Sequence, residues 1–223
     1  MGAIVNDSRT VALQLVHFVS VDNGQSMDSN VKAMIYRQIA WCYALGKSLR
    51  NLQATEGLAD FFTADDFAAL RARENVPLAI VDQNLAALKR LYLAGKLTDF
   101  QQIQIDSSFV RLVASMGKAE RIKNTVFPKS YRVFLHLFIY IFLITLAFSM
   151  SNSHNLVLMA LIVVISLPFF LLEKTAYHMQ DPFENRVTDT PMSAIARTIE
   201  INLRELLGEK PPKPWPPERF YLL

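Results

Sequence analysis

A single cysteine, Cys42, stands among the 223 residues, so no intramolecular disulfide can form and no thiol cluster is available to a metal. The four histidines, His17, His136, His154 and His178, lie at no ligand spacing with one another, with Cys42 or with a carboxylate, so no metal site is read here. Seven glycines leave little material for a phosphate-cradling loop, and G-x-S-x-G, P-loop and G-x-G-x-x-G patterns are all missing. Nothing points to an enzyme, and no cofactor is implied. The first residues, MGAIVNDSR, lack the basic-then-apolar pattern of a secretory signal, and Val5 or Asn6 stands where N-myristoylation needs Ser or Thr. The most informative absence is of charge: the 40 residues from Val133 to Leu172 contain no Asp, Glu, Lys or Arg.

A bilayer core of roughly 30 Å needs about 20 apolar residues per helix, so this run can cross twice. Its one cluster of small polar residues, Ser149 to Asn155, predicts the turn. A buried hairpin of a soluble protein would have to hide two helices apolar on every face within a short chain, and the transmembrane hairpin is preferred. Overall, 52% of residues are hydrophobic, yet charge is plentiful outside the run, as in a membrane protein with a substantial water-facing part. The pI near 9.0 does not imply nucleic acid, because the positive charge gathers beside the hairpin. Between Ser107 and Arg132, Arg111, Lys118, Arg121, Lys123, Lys129 and Arg132 oppose Glu120 alone. Such an excess marks the cytoplasmic side of a span, and a hairpin returns to its side of origin. Both termini are therefore expected in the cytoplasm of a multi-pass protein in the cell membrane, in contact with lipid. The layout is an all-α chain with cytosolic helices over 1–132, a hairpin over 133–172, and cytosolic helices with a proline-rich tail over 173–223.

Helical periodicity runs from Ala3 to Ser20 without a capping signal in front, so a segment upstream is expected. A polar link, Val21 to Ser26, leads to a helix from Asp28 to about Asn51, with Val31, Met34, Ile35, Ile39, Cys42, Leu45 and Leu49 on one face. Thr63 is an N-cap, with Asp65 and Asp66 in the first turn of a helix that stops near Arg73. Asn75-Val76-Pro77 opens another, closed by Gly95, and Thr98 or Asp99 caps the next, across Ile103, Ile105, Phe109, Val113 and Met116. Beyond the hairpin, Glu173 to Gln180 extends the second span until Pro182 interrupts it. Thr190 as N-cap with Pro191 at N1 restarts a helix that runs to Gly208, and Pro211 to Pro217 is an extended tail.

Few residues carry chemistry. His136 lies inside the first span, where an ionisable group is a functional suspect. It sits about a turn from the boundary, and a neutral imidazole donating to a backbone carbonyl is favoured over a proton relay. Asp181, Glu184 and Asp189 could hold a hard cation, but a helix-breaking turn with capping carboxylates accounts for them better. The basic cluster is mainly topogenic, with anion attraction to a pore mouth as its other role.

Three segments resemble the bestrophin family of pentameric ion channels: Gly2 to Arg9 (GAIVNDSR), Gln180 to Glu184 (QDPFE) with Asp189-Thr190-Pro191 and Ala194 to Leu203 (AIARTIEINL), and Pro217 to Tyr221 (PERFY). The resemblance implies five copies around one pore, two spans ahead of the first segment, a dewetting neck in the second of them, and a deeper cytosolic aperture. It implies that Phe127, in Phe127-Pro128-Lys129-Ser130-Tyr131, is the aperture constriction, while packing at the membrane boundary explains Phe127 equally well. Asp181, Pro182, Phe183 and Glu184 would shape the vestibule. Animal members carry an acidic calcium clasp after the Pro-Phe step, where Asn185-Arg186-Val187-Thr188 stands here, which puts calcium gating in doubt. The expected function is passive passage of chloride or other small anions. The alternative is a membrane-tethered helical scaffold or a truncated, non-conducting fragment.

Overall fold

The computed structural model describes residues 1–20, 27–125, 129–149, 155–178, 181–184 and 189–215, and every regular element among them is helical. They divide into two compact units, one made of Met1–Lys123 with Phe183–Leu223, the other of Asn124–Pro182.

The first unit holds α1 (Gly2–Phe18), α2 (Ser29–Leu49), a 3-10 turn (Ala59–Phe61), α3 (Ala64–Arg71), α4 (Val76–Leu93), α5 (Asp99–Asn124) and α8 (Met192–Leu206). At its centre lies α2, packed against α1, α4 and α8. The predicted face from Val31 to Leu49 is buried, but so are Ala40, Trp41 and Ala44, because a helix with neighbours on three sides needs apolar residues on more than one face. Contact with α8 is close enough that a Cβ on Gly46 would lie 3.2 Å from the Met192 Cβ. Cys42 is a buried packer beside Ser8, and burial pushes its thiol up to about 12.

Local signals fix most helix ends. The Asp28 carboxylate accepts from the Asn30 N–H at 2.7 Å and also pairs with Lys96. Burial raises the pKa of Asp28, and these partners outweigh it, holding the group below the usual carboxylate range. Thr63 Oγ1 accepts from the Asp66 N–H at 3.3 Å, and Asn75 Oδ1 from the Leu78 N–H at 3.0 Å. Thr98 and Gln101 cap each other reciprocally: Thr98 Oγ1 accepts from the Gln101 N–H, and Gln101 Oε1 from the Thr98 N–H. Gly95, at φ +71°, turns the chain out of α4 through Gly95 N–H to Tyr92 O and Lys96 N–H to Leu91 O bonds.

Two expectations are corrected. Ile103 is 64% exposed, because the buried stripe of α5 runs through Ile105, Phe109, Leu112 and Met116, and residue 103 falls outside it. Pro191, not Thr190, is the N-cap residue of α8, with non-helical ψ of 72° and no side-chain cap. The predicted link over 21–26 and most of the predicted turn, residues 150–154, lie outside the described residues.

The second unit is a hairpin of α6 (Lys129–Ser149) and α7 (Asn155–His178), which begin before and end after the charge-free run. Ser130–Ser149 and Met159–Ala176 are long and apolar enough to cross a membrane. Their large apolar side chains point outward, Val133, Phe134, Phe138, Ile144, Val164 and Leu172 among them. Polar side chains within the spans return to their own backbone: Thr145 donates to Ile141 O and Thr175 to Leu171 O, both at 2.8 Å, and Ser166 to Val163 O at 3.0 Å.

Candidate functional site: the hairpin and the segment after it

The two helices of the hairpin are antiparallel, so the residues flanking the charge-free run meet. Arg132 Nε lies 3.2 Å from Glu173 Oε1, and His136 Nε2 lies 3.6 Å from Glu173 Oε2, with the Glu173 side chain only 11% exposed. Above this cluster, His136 and Tyr140 of α6 contact Phe170 of α7, and Phe142 contacts Phe169 with ring centroids 5.4 Å apart. His136 therefore faces a carboxylate rather than the backbone carbonyl expected for it. Glu173 was the residue that sequence reasoning missed as a partner. The signal was available, since it is the first charge after the run as Arg132 is the last before it, and a hairpin folds such positions together.

Of the sequence-predicted site residues, Phe127 lies outside the described residues. Pro182 and Phe183 form a turn after α7, and Phe183, 2% exposed, is part of the core of the first unit. Asp181 is half-buried and Glu184 exposed. Among the described residues no three His, Cys, Asp or Glu side chains converge as a metal site, so Asp181, Glu184 and Asp189 do not form one.

The segment continues into α8, whose α2-facing side carries a polar network. Glu200 accepts from Tyr43 (2.7 Å), Arg197 (2.9 Å) and Arg204 (2.8 Å). Burial raises the Glu200 pKa, but these three donors outweigh it and hold the carboxyl below its ordinary value. Burial and the same carboxylate push the Tyr43 phenol well up. One step further, Glu209 accepts from Tyr36 at 2.6 Å and pairs with Lys32 at 2.7 Å. A charge as deep as Glu200 is tolerable because it is paired and fully bonded. The network fixes α8, and with it the end of the segment that leaves the hairpin, against α2.

Outwardly apolar helices in a hairpin, attached to a unit with its own buried core, make an arrangement suited to a bilayer. The model of the bacterial and fungal bestrophin family matches residues 1–205. The chain belongs to this family. Among relatives, it is 30% identical over 199 residues to the voltage-dependent anion channel-forming protein YneE of Escherichia coli K12, covering 87% of this chain and 64% of the relative. It is 28% identical over 200 residues to YneE of Salmonella typhi, covering 87% of this chain and 65% of the relative. A further relative, the voltage-dependent anion channel-forming protein alr2987 of Nostoc, is 26% identical over 211 residues, 94% of this chain and 68% of its own. The chain thus spans about two thirds of the length of these curated relatives. The crystal structure of a bacterial bestrophin homologue from Klebsiella pneumoniae superposes with a TM-score of 0.83 at 24% identity, covering 94% of this chain and 76% of the other. The fold is accordingly the all-helical membrane fold of bestrophins.

Proposed function

We propose that this chain is a subunit of a bestrophin-type channel that passes chloride or other small anions passively across the membrane, as a homopentamer. The observation that carries the reading is the likeness to anion channel-forming relatives along nearly the whole chain, together with the family match over residues 1–205. Two adjacent helices enclose no pore, so conduction needs further spans, and copies of the chain around an axis are the economical source. An apolar face without cover supports assembly: Phe100 (87% exposed), Ile103 and Val110 lie on one side of α5. The basic excess from Arg111 to Arg132 supports a multi-pass topology with both termini cytoplasmic.

In this reading Phe127 narrows the pore, and Asp181, Pro182, Phe183 and Glu184 shape the vestibule, with buried Phe183 anchoring the turn. The test is reconstitution in planar bilayers under a KCl gradient. A reversal potential on the chloride side is expected, with a larger unitary conductance for Phe127→Ala. Reversal on the potassium side removes the anion assignment. A membrane-integrated protein that carries no current overturns the channel in favour of the tethered scaffold, and native mass spectrometry showing a monomer overturns the pentamer.

A further inference from the structure

A pocket of about 440 Å³ lies within the first unit. The C-terminal half of α2, the segment 52–61, the first turns of α8 and Trp215 wall it. Leu52, Phe61, Met192 and Trp215 give its lining apolar and aromatic surface. Most of the charged groups in the lining are neutralised by one another. Lys47 pairs with Glu56 at 2.9 Å, and Arg197 and Arg204 both bond Glu200.

Among the cations Arg50 is the exception, and the Asp60 carboxylate also lines the pocket. Arg50 Nη1 donates to Ser193 Oγ at 3.0 Å and its Nη2 approaches Thr190 O at 3.5 Å, both neutral oxygens, while its Nε has no hydrogen-bond partner. Burial pulls the Arg50 pKa down, and attraction to Asp189 only partly opposes this. The guanidinium is therefore a half-desolvated cation without a carboxylate in ion-pair contact. It stands beside the start of α8, a helix end that has no side-chain cap and carries positive dipole charge of its own. Two positive features side by side, next to an apolar wall, favour an anionic head with an apolar body. Ser193 Oγ accepts from Arg50, which leaves its hydroxyl proton to donate to the same head. The tail secures part of the lining: Arg197 Nε donates to Lys213 O at 3.1 Å, and its guanidinium stacks 5.4 Å from the Trp215 ring centre.

We infer that this pocket binds an amphiphilic organic anion, its carboxylate or phosphate on Arg50 and Ser193 and its apolar body between Phe61, Met192 and Trp215. The proposal is independent of ion conduction. That chemistry could reach the pocket as a soluble aryl acid or as a single-chain lipid, and two probes separate the sources.

The purified protein in a non-ionic detergent is titrated with phenyl phosphate and with decanoate, and with benzyl alcohol as the uncharged control. Binding is read by melting temperature and by quenching of Trp215, the second tryptophan, Trp41, being fully buried. At least one anion is expected to raise the melting temperature by several degrees and quench the emission, with benzyl alcohol inactive. Trp215→Phe should lose the quenching and keep the thermal shift. Arg50→Gln should weaken binding about tenfold or more. Should Arg50→Gln fail to fold, Leu52→Glu, on the exposed rim, keeps the test alive by placing a carboxylate in the lining that repels the anionic ligand. Response to phenyl phosphate alone assigns a soluble ligand, and to decanoate alone a lipid. The proposal is overturned if neither anion binds, if benzyl alcohol binds equally, or if binding is undiminished in folded Arg50→Gln or, where that variant does not fold, in Leu52→Glu.

Discussion

Phe109 and Phe138 are chemically the same side chain, each in the middle of a long helix, yet the first is 1% exposed and the second 66%. Phe109 belongs to the first unit, where α1, α2, α4, α5 and α8 turn their apolar faces inward over a common core. Phe138 belongs to the hairpin, where apolar residues cover the outside. The contrast shows one chain built for two solvents. In water, burial of apolar area is the driving force, and deep polar groups such as Glu200 must be fully bonded. In lipid the outer face gains nothing from being hidden. The hairpin is held instead by ring contacts and by the Arg132–Glu173–His136 cluster at one end.

The strongest way to break the comparison is to give the hairpin the wrong surface. Ile141→Arg combined with Leu167→Arg places a cation near the middle of each span, at about 2.5–3.5 kcal/mol apiece for membrane insertion. The doubly substituted chain is expected to leave the carbonate-resistant membrane fraction, and its retention there would refute the lipid-facing assignment. Next comes a matched pair of truncations. Trp41→Ala, at the centre of α2, is expected to cost about 3–5 kcal/mol. Phe138→Ala, on the lipid face, should stay within about 0.5 kcal/mol, both read from denaturation of the detergent-solubilised protein. Equal losses would mean the hairpin is a hidden core after all.

Glu200→Gln sharpens the polar side. It removes the charge that Arg197, Arg204 and Tyr43 bond, with an expected loss of about 2–3 kcal/mol. The pH dependence follows from the direction of the shift. The folded-state pKa of Glu200 is lowered from 4.5, so its stabilisation is whole above about pH 4.5, declines as pH falls below that, and is gone beneath the folded-state pKa. Wild type should therefore lose more stability than Glu200→Gln as pH falls below about 4.5 in acid-titrated melts. The smallest effect belongs to Thr63→Ala, about 1 kcal/mol for the lost cap of α3, with the hairpin untouched.

Much of this was legible beforehand because the signals are local. The charge-free run, the Thr63, Asn75 and Thr98 caps and the Gly95 exit each act over a few residues, and the structure places them as read. Misreadings came where the outcome depends on distant partners. The wide burial of α2 arises from three neighbours that periodicity does not reveal, and Ile103 looks like a core position until the side of α5 that meets α1 through Ser108–Gln14 and Arg111–Asp7 is known. Glu173 was passed over because its role exists only once α7 folds back on α6. The pocket around Arg50 joins residues some 140 positions apart, such as Arg50 and Ser193, and no stretch of sequence displays it.

The first unit is assembled from sequence on both sides of the hairpin, α8 closing onto α2 where Gly46 leaves little room for a Cβ beside Met192. During synthesis, α2 emerges long before α8 exists. At about 5–20 residues per second, the stretch between them takes on the order of 7–30 s to translate, and the hairpin must be made within that interval. Until then the side of α2 with Tyr36, Tyr43 and Gly46 stays uncovered, and Glu200 has yet to arrive. Completion of the first unit thus requires that the hairpin has already been translated, so the α2–α8 contact cannot form before the hairpin exists.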